Sequence, residues 1–173
     1  MLPLKPHPAT PCAWVHTLDA TVVREGAGPV TARYVLSGDI DRLRIAPAAT
    51  LPSRTDGLWR TTCFELFART APGAAYVEFN FSPAGHWAAY HFDAYRQGMR
   101  QLDIDPPSVT CVQQADSLVL TAMVPSPGLG TGPLQIAASA ALEDREGRIC
   151  YWALQHPDGP PDFHHDAGFA TQL

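Results

Sequence analysis

One lysine, Lys5, stands in the whole chain, and the eleven arginines are scattered rather than clustered. With a net charge of −5 at pH 7, this leaves no basic face to meet nucleic acid or anionic lipid. A lysine nucleophile is set aside as well, because Lys5 lies in a Pro-rich lead. Residues 1–8 lack the continuous apolar segment of a secretory signal, so residence in the cytoplasm is the expectation. The four cysteines, Cys12, Cys63, Cys111 and Cys150, form no CxxC pair. Each is expected as a small, reduced, buried residue, in keeping with a reducing compartment. The uncharged run 118–142 is long enough to span a bilayer but holds Pro125, Pro127, Gly128, Gly130, Gly132 and Pro133, which break a helix. It reads as two strands joined by a loop. There is also no GxSxG elbow, HExxH, P-loop or GxGxxG following a strand, so the usual signatures of enzyme chemistry are missing.

What is present is enough apolar sequence for a core: 46% hydrophobic against 17% charged residues in a chain of 173, the length of one domain. Short runs rich in β-formers recur between Gly, Pro and Asp punctuation, at 13–24, 31–37, 43–46, 61–69, 76–82, 86–92, 108–115, 117–124, 134–142 and 148–153. About ten strands at this spacing predict an all-β fold, an antiparallel, jelly-roll-like β-sandwich. Residues 1–173 form a single domain in this reading, with 1–11 a flexible lead and 155–173 a tail packed back on the sandwich. Residues 93–102 read as a short helix or an extended loop.

The chemistry concentrates between Leu58 and Phe81. Cys63-Phe64-Glu65-Leu66-Phe67 and Tyr76-Val77-Glu78-Phe79-Asn80-Phe81 alternate large apolar residues with polar or acidic ones, so each strand buries one face and furnishes the other. Trp59 and Arg60 lead into the first strand; Glu65, Glu78 and Asn80 line the furnished faces, with Tyr76 in the same row as Glu78 and Asn80. An indole with carboxylates, an amide and a guanidinium is the mixture a pyranose needs, since its C–H face stacks on a ring while its hydroxyls seek fixed polar groups. Packing explains the same residues less interestingly: Trp59 as a loop anchor, and Glu65 as part of a solvated outer face paired with Arg54 or Arg60.

Trp59 six positions before Glu65, the block Glu78-Phe79-Asn80-Phe81-Ser82-Pro83-Ala84-Gly85-His86-Trp87-Ala88-Ala89-Tyr90, and the ending Tyr151-Trp152-Ala153-Leu154-Gln155-His156-Pro157, then Pro161-Asp162-Phe163-His164-His165, resemble the bacterial DOMON-like proteins, which in turn resemble family 9 carbohydrate-binding modules. That resemblance implies a non-catalytic module for a sugar or sugar-like small molecule. Trp59 matches the stacking tryptophan, Glu65 the acidic residue further along its strand, and Asn80 a polar contact on the next strand. Trp87, Tyr90 and Trp152 are candidates for further aromatic walls, and Asp162 and His164 for contacts if the tail closes over the pocket.

The wider superfamily also includes haem binders, so non-covalent haem is the alternative, with Met99, Met123, His86, His91, His156 and His164 as axial candidates. No cofactor or metal is the primary expectation: adjacent His164 and His165 point to opposite sides of an extended segment, and no CxxCH motif is present. A glycoside-acting enzyme using Glu65 and Glu78 as paired carboxylates and a protein-interaction domain remain as further alternatives. An exposed edge strand makes a homodimer compatible with the fold.

Overall fold

The computed structural model describes residues 1–70, 73–125 and 129–173. Among the described residues thirteen strands run in the order β1 (Leu2–Pro3), β2 (Lys5–Pro6), β3 (Val15–Arg24), β4 (Val30–Gly38), β5 (Cys63–Thr70), β6 (Tyr76–Phe81), β7 (Trp87–Phe92), β8 (Arg100–Gln101), β9 (Ser108–Gln113), β10 (Ser117–Val124), β11 (Leu134–Glu143), β12 (Ile149–Ala153) and β13 (Thr171–Gln172). They form two antiparallel sheets, ordered β1-β3-β4-β10-β9 and β2-β12-β11-β5-β6-β7-β8, with β13 beside β11. The sandwich expected from the spacing of the strand signals is the observed fold.

The first sheet obeys the simple period of two. Leu18, Ala20 and Val22 of β3, Ala32, Tyr34 and Leu36 of β4, and Leu118, Leu120 and Ala122 of β10 point inward, while their neighbours are more exposed. Across the core they meet Phe64 and Leu66 of β5, Phe79 and Phe81 of β6, and Ile136 and Leu142 of β11. Tyr34 ties the layers together by donating its hydroxyl to the Glu65 carbonyl at 2.6 Å.

The second sheet breaks the pattern: β6 is buried at every position, and β5 from Cys63 to Ala68. Its outer face carries a second apolar cluster built from Cys63, Phe67, Tyr76, Tyr90, Phe92 and Ala137, roofed by Leu58, Phe163 and Phe169. A sheet packed on both faces is the setting of the candidate site.

Several expectations are corrected. The lead, expected as a loose segment, is paired in strands: β1 pairs with β3 and β2 with β12, so residues 2–6 bridge the edges of both sheets, with Leu4 and His7 buried. That path carries Cys12 to the start of β12, where it is disulfide-bonded to Cys150 with a Cα–Cα distance of 5.9 Å, so these two are not reduced thiols. A separation of 138 residues hid the pairing from any local pattern. Cys63 and Cys111 are free, as expected. Residues 43–46 form no strand; a 3-10 turn, Ile40–Arg42, precedes a single bridge from Leu43 to Asp144. Of the two readings of 93–102, the loop is the one observed over 93–99, and Arg100–Gln101 forms β8. The uncharged run 118–142 contributes β10 and β11, its Pro127 and Gly128 lying outside the described residues, and among those residues no helix is long and apolar enough to cross a bilayer.

Candidate functional site

Cross-strand register dictates which side chains share the outer face of the second sheet. Glu65 lies opposite Asn80 on β6 and opposite Ser139 on β11, and Glu78 lies opposite Phe67 on β5 and Tyr90 on β7. Glu65 and Glu78 are therefore diagonal neighbours on one face, their Cβ atoms within about 8 Å. Beside them β11 and β12 present Ala137, Ser139, Ala141 and Ala153, so the floor is low there and a trough forms between larger neighbours.

The walls come from segments without regular structure. Gly57, at φ +79°, adopts the left-handed conformation that glycine tolerates best, turning the chain into the 3-10 turn Leu58–Arg60 and lifting Trp59 to the rim. Trp59 is 38% exposed and meets Tyr90 edge-on at 6.2 Å between ring centroids. Opposite, the tail brings Pro161, Phe163 and His164 over the sheet, and the 93–99 loop contributes Arg96 and Met99. With Glu65, Glu78, Phe92 and Tyr151 these enclose a pocket of about 410 Å³.

Arg96 is held against its backbone preference, at φ +53°, a conformation costing a non-glycine residue about 1 kcal/mol or more. What holds it is specific: its N–H donates to the Tyr76 hydroxyl at 3.2 Å, and its guanidinium donates to Asp162 at 2.8 Å. Asp162 also accepts from Tyr95 at 2.5 Å. Despite partial burial, the Tyr95 and Arg96 hydrogen bonds keep the Asp162 carboxyl below its ordinary range. His164 is enclosed by the rings of Phe67, Tyr76 and Phe92, and its Nδ1 shares a 2.8 Å hydrogen bond with the Tyr76 hydroxyl. Burial, with help from Arg96, pushes its pKa down to about 4. At neutral pH the imidazole is uncharged, so its 3.7 Å approach to Glu78 is not an ion pair.

The floor carries the unusual electrostatics. Glu65 and Glu78 are 3% and 4% exposed. Burial raises both carboxyls, Glu65 further still because the Glu78 charge faces it, while Arg96 pulls the other way. Glu78 is raised to about 7 although Asn80 donates to it at 2.7 Å. Glu65 Oε1 and Ser139 Oγ, on directly opposed residues, are buried with no hydrogen-bond partner among the described residues. Each such orphan costs about 1–3 kcal/mol, and that of Glu65 belongs to the pocket lining, where a ligand can meet it.

Of the ten residues expected from sequence, Trp59, Glu65, Glu78 and His164 line this pocket. Asn80 and Tyr90 lie on the same face, Asn80 bonded to Glu78 and Tyr90 donating to Asp56 at 2.7 Å, and Asp162 acts through Arg96. Arg60 is exposed at the end of its turn and does not reach the pocket. The aromatic walls expected from Trp87 and Trp152 are corrected: both point into the inner core, 5% and 4% exposed, with Arg54 stacked 4.5 Å from the Trp87 ring centre. Strand parity is the reason. Trp87 and Tyr90 are three apart and Trp152 adjoins Tyr151, so neither pair shares a face, and it is Tyr151 that reaches the pocket. Phe92, Arg96, Met99, Tyr151, Pro161 and Phe163 were missed as site residues; parity with Tyr90 and Trp152 was the available signal for Phe92 and Tyr151.

The sandwich is similar to family 9 carbohydrate-binding modules. One such module from Caldicellulosiruptor kristjanssonii, solved in complex with glucose, has a TM-score of 0.54 at 8% identity over 90% of this chain and 74% of its own. The module from the same organism in complex with cellotriose gives 0.51 at 8% identity over 83% and 67%. A candidate carbohydrate-binding protein from Bacteroides uniformis gives 0.62 at 11% identity, over 88% of this chain and 75% of its own. At these identities the likeness is one of fold. No model of a known family matches the sequence, and no curated protein matches it.

The floor of the pocket fits haem poorly. Of the axial candidates only Met99 and His164 line the pocket; Met123 lies on the other sheet, His156 bonds the Lys5 carbonyl, and His86 bonds Ser53. A floor of two carboxyls and an amide is also a poor bed for a porphyrin face. Among the described residues there is no cluster of three or more His, Cys, Asp or Glu able to hold a metal ion.

Proposed function

We propose that this protein is a non-catalytic module that binds a carbohydrate in the pocket beneath Trp59. The observation that carries this reading is an exposed indole above a floor whose buried Glu65 Oε1 has no hydrogen-bond partner among the described residues. The ring offers a stacking plane for the C–H face of a sugar, and the floor offers acceptors for its hydroxyls. Its fold likeness to modules solved with glucose and cellotriose supports the same reading. Hydrolysis is disfavoured by geometry: Glu65 and Glu78 rise from adjacent strands on one floor and meet one face of a ligand, whereas glycosidases place their carboxyls on either side of the scissile bond.

The test is a tryptophan-fluorescence titration against mono-, oligo- and nucleotide sugars, with Trp59→Ala alongside. A saturable signal in the wild type, weakened by about 1–3 kcal/mol in a folded Trp59→Ala, is expected. Equal affinity in the variant would remove Trp59 from the site, and silence across the panel would overturn the carbohydrate reading.

A further inference from the structure

Carbohydrate recognition leaves one question that the floor itself answers: what kind of sugar satisfies two buried carboxyls that face the same cavity. A neutral sugar brings hydroxyls, and one hydroxyl donates one hydrogen bond. Among the described residues Glu65 Oε1 has no hydrogen-bond partner, and Glu78 accepts on one oxygen from Asn80. The nearest cation, Arg96, is committed to Asp162. His164 supplies no charge. Among the described lining residues Glu65 and Glu78 thus outnumber the cation, Arg96, whose guanidinium is already bonded to Asp162.

The lining selects among cations. A divalent ion wants several oxygen ligands converging on one point, and among the described residues no such group exists. An organic ammonium wants a carboxylate on one side and aromatic faces on the other. Trp59, Phe92, Tyr151 and Phe163 supply the rings and Glu65 and Glu78 the acids. We infer that the ligand bears a free amine, held as an ammonium by Glu65 and Glu78 within this aromatic wall: an amino sugar, rather than a neutral, N-acetylated or acidic one. This rests on the carbohydrate reading above. N-acetylation removes the charge and adds bulk where the acids lie, and a uronic acid brings a third carboxylate to a cation that Asp162 already occupies.

Proton balance gives a second signature. Before binding, burial favours keeping protons on the pair; an ammonium seated there favours both carboxylates, so binding releases protons to solvent. The other groups facing the pair are the hydroxyls of Tyr76 and Tyr90, the Cys63 thiol, Arg96 with Asp162, and His164, with Tyr34 behind the sheet. Burial raises the tyrosines and the thiol further from neutrality, so the carboxyls dominate the exchange near pH 7.

The experiment is titration calorimetry of the full chain at pH 7 with glucosamine, glucose, N-acetylglucosamine and glucuronate, each in two buffers of different ionisation enthalpy. Glucosamine is expected to bind about tenfold or more tighter than glucose, with glucuronate weakest. Only glucosamine should show a buffer-dependent heat from proton release. Glu65→Gln should weaken the binding of both sugars but remove glucosamine's advantage, read as the ratio of the two affinities in the same variant; Glu78→Gln serves the same purpose if the first variant misfolds. Glucose binding as tightly as glucosamine, or a preference that survives both variants, overturns the amine assignment and leaves carbohydrate binding standing. Absence of binding by every sugar overturns both.

Discussion

Replacing Glu78 by glutamine isolates the energetic consequence of burying acid on the pocket floor. In the folded protein this carboxyl is raised from 4.5 to about 7, chiefly by burial. Between those values the unfolded chain has released its proton while the folded chain retains it, so stability falls as pH rises across that window. At about 1.4 kcal/mol per pH unit, the loss reaches about 3 kcal/mol above pH 7. Glutamine keeps the shape and can still accept the Asn80 hydrogen bond but does not titrate. Glu78→Gln should therefore match the wild type near pH 4.5 and exceed it by about 3 kcal/mol at pH 8. The wild-type curve alone does not test this, because His164, lowered to about 4, contributes the opposite slope between its folded value and 6.5. In the difference between variant and wild type that contribution cancels. Glu65 adds to the effect, since losing the Glu78 charge lets it ionise more readily. Urea unfolding followed by tryptophan fluorescence at pH 4.5, 6, 7 and 8 measures the difference, and with m near about 2 kcal/mol/M the midpoint should shift by roughly 1–2 M at pH 8. A difference that does not change with pH, or a variant less stable at pH 8, refutes the account of the floor.

Two further predictions concern the frame around the site. Tyr34→Phe keeps the packing against Phe64 but removes the hydroxyl that reaches the Glu65 carbonyl across the core. It should cost about 1–2 kcal/mol in chemical unfolding; an unchanged midpoint would mean that the inter-sheet hydrogen bond contributes nothing. Reducing the Cys12–Cys150 disulfide frees a loop of 138 residues and should lower stability by about 3–5 kcal/mol. The readout is a drop in Tm with dithiothreitol that Cys12→Ser reproduces without reductant; a Tm indifferent to both would show that the strands alone hold the lead in place.

The sequence by itself determined the β-sandwich and the residues at the centre of the floor. Alternation with period two is a local property, so Glu65, Glu78 and Asn80 were legible as one furnished face from the strands that carry them. Trp59 was legible because an indole beside a turn, just ahead of such a strand, falls at the rim of that face. Only the tertiary structure decided the rest. Whether the outer face is solvated or covered depends on segments distant in sequence: His164 and Phe163 arrive from the tail and Arg96 from a loop, held by Asp162 and Tyr76, partners 66 and 20 residues away. That cover excludes water from Glu65 and Glu78 and turns ordinary carboxylates into acids that hold their protons near neutrality. The direction of Trp87 and Trp152 needed the register that joins one strand's parity to the next, and the Cys12–Cys150 pairing needed the lead to be laid against β12. Local patterns fix which way a side chain points relative to its neighbours on the same strand; what it faces is decided by the parts of the chain that fold over it.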